Sequence, residues 1–281
     1  MIRSSADTKE SKVPFVSLVP FLLITFGLAW GILALFIFFP EPMRELFGEL
    51  TGQHPLFFLA VYSPAIAGIY VVVRSSGPGG LRRFLSRLLL WRCSYPWCVF
   101  LVIGIPLVYF GSALVKGSMS MDVFGYPWKT IGMALALTLI KGPVEELGWR
   151  GVALPLIQRK FAPAWSGLFL GLVWGVWHLP AFLLSGTPQG AWSFAPFFAG
   201  SVAVSVIVTS LFNQSRGSIL LPALFHFQLN NPLWPDAQPY DMLAFVVIAC
   251  LVVWLNRGEM LSGASAVKEV VPGTGTISEG R

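Results

Sequence analysis

The chain is poor in charge. Asp, Glu, Lys and Arg make up only 11% of its 281 residues, against 55% hydrophobic residues and a mean hydropathy of +0.71, where a soluble domain carries about 25% charged residues. That scarcity excludes an ordinary water-soluble globule and predicts a polytopic membrane protein. Cysteine is scarce as well. Cys93, Cys98 and Cys250 are odd in number and form no CxxC pair, so neither a disulfide framework nor a thiolate zinc site is expected and the three read as packing residues. Among three histidines there is no HExxH, the motif that puts two ligands and a base on one helix. The formal net charge is +6, but no basic stripe interleaved with aromatics is present, which argues against nucleic acid as a partner. The first apolar run is too long for a signal-peptide core and has no small-residue cleavage site behind it, so it reads as a transmembrane helix. No internal repeat is visible.

What is present is a series of apolar runs. At about 20 residues per span the sequence predicts an all-α, polytopic membrane bundle of about eight transmembrane helices, near 13–39, 55–73, 97–115, 128–160, 164–184, 194–212, 218–232 and 242–255. Between the second and third, 81–91 sets Arg82, Arg83 and Arg87 among leucines and is expected as an amphipathic interfacial helix. The whole reads as a single transmembrane domain over 1–256 with its motif-bearing core at about 130–232. A tail, 257–281, rich in Gly, Ser, Thr and Val, is expected to be disordered. Basic residues alternate between connections. One set holds Arg3, Lys9, Lys12, Arg74, Arg82, Arg83, Arg87, Arg92, Arg159, Lys160, Arg216, Arg257, Lys268 and Arg281, and the other only Arg44, Lys116 and Lys129. The positive-inside rule then puts both termini in the cytoplasm.

One oily stretch breaks the pattern: Lys141-Gly-Pro-Val-Glu-Glu-Leu-Gly-Trp-Arg-Gly151 carries two carboxylates and an arginine. An ionised group at the bilayer centre costs roughly 2.5–3.5 kcal/mol on insertion scales, so these side chains need partners or a wet cavity. Glu146 and Arg150 stand at i and i+4, where they neutralise each other. Glu145 points about 100° away from Glu146 and is free for other work. His178 in the fifth run, and His226 with Asn230 at i and i+4 in the seventh, fall at comparable depth when positions are converted at about 1.5 Å per residue.

A carboxylate, two imidazoles and an amide in one layer support hydrolysis. Glu145 is suited to take a proton from water with a histidine holding the same water, and a histidine and Asn230 are suited to an oxyanion. No serine or cysteine is paired with a base, which favours direct attack by water over an acyl-enzyme. The same residues also make an alternative zinc set of Glu145, His178 and His226 with an open position for water. Trp174 and Trp177 read as packing and cavity walls, and Asn231 as a donor alternative to Asn230.

Three short motifs resemble the CPBP family of intramembrane endopeptidases, which includes the type II CAAX prenyl proteases and the bacterial Abi or bacteriocin-immunity proteins. The family's EExxxR matches Glu145, Glu146 and Arg150; its FxxxH matches at His178, with Trp174 where the phenylalanine stands; its HxxxN or HxxxD matches His226 and Asn230. The resemblance covers about 130–232. It implies that Glu145 and His178 activate water, that His226 and Asn230 form an oxyanion hole, that Glu146 and Arg150 support the site, and that the cavity opens to the cytoplasm. It leaves glutamate and zinc chemistry both open. The expected partners are membrane lipid and a peptide or protein substrate, with a C-terminally prenylated one among the candidates, and the expected location is a prokaryotic plasma membrane. Two other functions compete: a proton- or ion-coupled transporter, and a non-catalytic scaffold or immunity protein.

Overall fold

The computed structural model describes residues 12–120 and 125–273. The polar N-terminal tail as far as Ser11, the Met121 and Asp122 part of the link before the fourth run, and the last eight positions of the C-terminal tail lie outside them. Among the described residues the protein is helical throughout, without strands. The helices are α1 (Leu18–Phe38), α2 (Pro40–Phe47), α3 (Pro55–Val61), α4 (Ser63–Leu85), α5 (Tyr95–Val99) running through a π turn into α6 (Ile105–Lys116), α7 (Trp128–Lys141), α8 (Glu146–Gly148), α9 (Leu154–Ile157), α10 (Pro163–Trp177), α11 (Phe194–Gln214), α12 (Leu220–Leu229), α13 (Tyr240–Leu255) and α14 (Arg257–Met260).

Among the described residues four helical stretches are long and apolar enough to cross a bilayer: 15–38, 95–116, 163–183 and 194–214. A fifth is the pair α3 and α4, bent by 51°. The apolar α12 and α13 are shorter. The outer surface suits a lipid environment. Val102, Leu23, Leu107 and Val247 are each more than 60% exposed, a loss that water would penalise at about 25 cal/mol per Å² and that lipid tails remove.

The bundle has two distinct ends. At one, Arg87 reaches Gly217, Gly151 and Val270 carbonyls, Ser218 reaches Leu90, and Arg159 reaches Val13 and Lys268, so the arginine-bearing connections gather together. At the other, the Gly52 N–H donates to the Gly186 carbonyl and Lys116 pairs with Asp236 at 2.7 Å. Two expectations change at the first end. Arg87 does not lie on a wet helix face; it is only 2% exposed, beneath Phe84 and Phe212. The interfacial stretch itself begins where Gly77 (φ 63°) and Pro78 interrupt α4, since a positive φ suits glycine and proline lacks the N–H a continuing helix needs. Residues 261–273, where a disordered tail is expected, follow α14 across this end, with Met260 and Val270 each 1% exposed and the Val267 N–H donating to Asn213. The cysteine reading also needs correcting: Cys93 and Cys98 form a disulfide, and Cys250 alone is free and exposed.

Inside, α10 packs along α11, α11 along α13, α13 against α6, and α1 against α4. The motif segment is clamped against α4 at a point where Gly68 and Gly148 face each other. A Cβ on Gly68 would meet Gly148 Cα at 3.2 Å, and one on Gly148 would run into the Pro64 backbone. Small residues at such crossings let helix backbones approach in a membrane.

Candidate active site

The fourth apolar run does not form one bent helix. It divides into α7, a 3-10 turn (Gly142–Glu145), α8, a π turn (Trp149–Ala153) and α9. The break begins at Lys141, whose φ −89° and ψ −80° leave the helical region, and Pro143 removes an N–H that the helix would have bonded. Local π and 3-10 windings concentrate at functional positions because they re-aim side chains. Here they turn Glu145 inward, onto a cavity of about 440 Å³.

Glu145, His178, His226 and Asn230 all line that cavity. Glu145 is 4% exposed, and its Oε2 accepts the Trp174 indole N–H at 3.0 Å. His178 closes the C-terminal end of α10, with Nδ1 2.8 Å from the Trp174 carbonyl. A carbonyl only accepts, so Nδ1 carries the proton and Nε2 keeps its lone pair. His226, on α12, has Nδ1 2.8 Å from Glu146 Oε1. A carboxylate likewise only accepts, which again fixes the proton on Nδ1. Asn230 ends the same helix. A Cβ built on Gly142 would sit 2.9 Å from both Cδ2 and Nε2 of His226 and would run into Asn230 Nδ2. The imidazole edge and the amide therefore converge on one glycine, three residues before Glu145.

The two adjacent glutamates do different things. Glu146, 1% exposed, turns away from the cavity and gives Oε1 to both Arg150 (3.1 Å) and His226. Arg150 is fully buried with its guanidinium carbon 4.9 Å from the Trp174 ring centre, a cation–π contact that satisfies the charge on its other face. Asn231 does not substitute for Asn230: its amide donates to Gln228 and its oxygen accepts the Leu233 N–H.

The zinc alternative fits poorly. Among the described residues no group of three His, Cys, Asp or Glu side chains is arranged to hold a metal ion. The trio Glu145, His178 and His226, expected as a possible ligand set, shares the cavity wall without that arrangement.

Residues 127–231, which contain every one of these positions, match the family model of the type II CAAX prenyl endopeptidases, Rce1-like. The chain is also 27% identical over 228 residues to CAAX prenyl protease 2 of Methanococcus maripaludis, a match spanning 73% of this chain and 83% of that protein. Over its motif-bearing core the chain is similar to the Rce1-like type II CAAX prenyl endopeptidases, and it is an intramembrane endopeptidase.

In this intramembrane endopeptidase three contributors do more than the motifs imply. Trp174 is not mere packing. It bonds Glu145 through its ring nitrogen and His178 through its carbonyl, and lays its ring 5.3 Å from His178 and 5.5 Å from His226. The sequence signal was its i,i+4 spacing to His178 together with an indole N–H that must find a partner when buried. Gly142 supplies the close approach, and Lys141 a cation on the cavity wall. Both flank the conspicuous carboxylates and look like helix filler.

Proposed function

We propose that this intramembrane endopeptidase hydrolyses its peptide bond by direct attack of water activated by Glu145. The observation that carries the reading is the convergence of Glu145, His178, His226 and Asn230 on one cavity around Trp174. Water sits between the free oxygen of Glu145 and the Nε2 lone pair of His178. As its oxygen attacks the carbonyl carbon, its proton passes to Glu145. The oxyanion takes hydrogen bonds from the Asn230 amide and from Nε2–H of His226 in its imidazolium form, whose Nδ1–H is held by the Glu146 carboxylate. Glu145 then returns the proton to the departing amine. Each well-placed oxyanion donor is worth about 10²–10³ in rate. Glu146, Arg150 and Trp174 act as positioning residues.

The substrate is a membrane-associated peptide. The relative's name supports a CAAX protein, whose C-terminal motif carries a prenylated cysteine, and the apolar wall of Ala29, Leu33, Phe57, Ala60 and Val61 offers a chemically matched place for an isoprenoid. We further propose eight membrane passes in a prokaryotic plasma membrane with the arginine-rich end in the cytoplasm. Orientation and access then pull apart. The cavity lining comes from residues at the other end, including Pro188, Gln189, Trp192 and 234–238. That favours entry from the extracytoplasmic face over the cytoplasmic opening the family resemblance implies.

The test is cleavage of fluorescent farnesylated and unprenylated peptides by purified protein, with Glu145→Gln and a chelator arm. Activity lost in Glu145→Gln and kept in chelator supports the reading; activity surviving Glu145→Gln refutes it. Single cysteines at Gln189 and Arg216, in a background without Cys93, Cys98 and Cys250, report access. An impermeant reagent on intact cells should label position 189 only, and labelling of 216 alone would reverse the orientation.

A further inference from the structure

We infer that Lys141 binds the free α-carboxylate of the substrate, which makes the enzyme a reader of carboxyl termini; this rests on the peptidase reading above. Lys141 is the sole Lys or Arg among the described residues lining the cavity. Its ammonium donates to the Gly52 carbonyl at 3.2 Å and stands 5.7 Å and 5.9 Å from the Phe57 and Phe58 ring centres. Among the described residues no carboxylate lies within ion-pair distance of it. An ammonium has three donors, so two remain for a ligand. A half-buried cation flanked by aromatic rings, with no carboxylate in ion-pair contact and only the longer-range field of Glu145 acting on it, beside a peptide-binding cavity, is a carboxylate receptor in chemical terms. An anion arriving there regains in low dielectric much of what it loses on leaving water.

The spacing suits a short leaving segment. From Lys141 to Glu145 the backbone runs as a 3-10 turn, which rises about 2 Å per residue, or about 8 Å in all. An extended peptide advances about 3.3–3.6 Å per residue. A carboxylate two to four residues beyond the scissile bond therefore falls within reach of Nζ while the carbonyl faces Glu145. The bond from Lys141 to the Gly52 loop holds the ammonium at the wall, so that it does not swing into the reacting centre.

The experiment compares a fluorescent farnesylated cysteine peptide with three further residues, as the free acid and as the C-terminal amide. Wild type is expected to show a KM at least tenfold lower for the acid. Lys141→Met should raise the KM of the acid at least tenfold with kcat within about threefold, leave the amide unchanged, and be partly rescued by Lys141→Arg. A structural role for Lys141 would shift both peptides together. Binding of both peptides to Glu145→Gln protein, followed through the fluorescence of the cavity tryptophans, separates the two claims. If no peptide is cut, the peptidase reading fails on its own, while an acid-over-amide binding preference that disappears in Lys141→Met still supports the carboxylate site. Equal or absent binding of acid and amide, or a preference that survives Lys141→Met, overturns it.

Discussion

Adding one methyl group at Gly142 should silence the enzyme without unfolding it. Gly142 has helical φ −64° and ψ −48°, so alanine is at home in the backbone and favours it by up to about 1 kcal/mol. The new Cβ, however, would lie 2.9 Å from Nε2 and Cδ2 of His226, and it would overlap Asn230 Nδ2. Ordinary carbon contacts begin about 0.5–1 Å farther out. His226 cannot retreat by that much, because Nδ1 is held 2.8 Å from Glu146 and its ring rests 5.5 Å from Trp174. Asn230, at the helix end, gives way first. Loss of one oxyanion donor costs about 10²–10³ in rate, and a 1 Å misplacement about 10². Overpacking costs about 1–3 kcal/mol, partly offset by helix propensity, so melting in detergent should fall by only a few degrees. The assay is kcat and KM of Gly142→Ala beside Gly132→Ala, whose Cβ meets nothing within 4 Å. A kcat within threefold of wild type for Gly142→Ala would refute the convergence of His226 and Asn230 on that point.

Four more substitutions separate roles that adjacency blurs. Trp174→Phe keeps the ring but loses the N–H on Glu145; hydrogen bonds to a charged group are worth about 1.5–3 kcal/mol, so kcat should fall about ten- to a hundredfold at unchanged yield of folded protein. Asn230→Ala should reduce kcat about 10²-fold, whereas Asn231→Ala, which only frees Gln228 and Leu233, should leave it within about threefold. Glu146→Gln removes the one carboxylate shared by Arg150 and His226. Breaking a buried pair costs about 3–5 kcal/mol, so this variant should lose folded yield on size exclusion while the neighbouring Glu145→Gln does not.

The part of this site that sequence made legible is the part set by helical periodicity. Glu146 with Arg150, and His226 with Asn230, are four apart on single helices. The scarcity of charge made any buried carboxylate conspicuous. What sequence could not show depends on contacts between distant segments. The indole of Trp174 meets a carboxylate 29 positions earlier. Gly142 matters only because α12 passes close by. Pro143 announces a bend, but not the 3-10 winding at 142–145, the π winding at 149–153 or the close approach of Gly148 to α4, which local propensity does not encode. The stretch 261–273 looks disordered by composition, yet its backbone carbonyls supply acceptors for Arg83, Arg87, Gln158 and Arg159. Main-chain groups are identical in every residue type, so composition carries no trace of that use.

Arg87 gives that stretch a practical meaning. Its guanidinium joins Gly151 at the far end of the EExxxR segment, Gly217 in the turn before α12, and Val270 near the end of the described residues, at 2.7–3.0 Å. Two of the three partners belong to segments that carry site residues, and the third sits three positions before the last described one. A purification handle or reporter spliced in before Val270 would thus cut one strut of a tripod that also bears on Glu146 and His226. Handles appended beyond residue 273 would leave it standing.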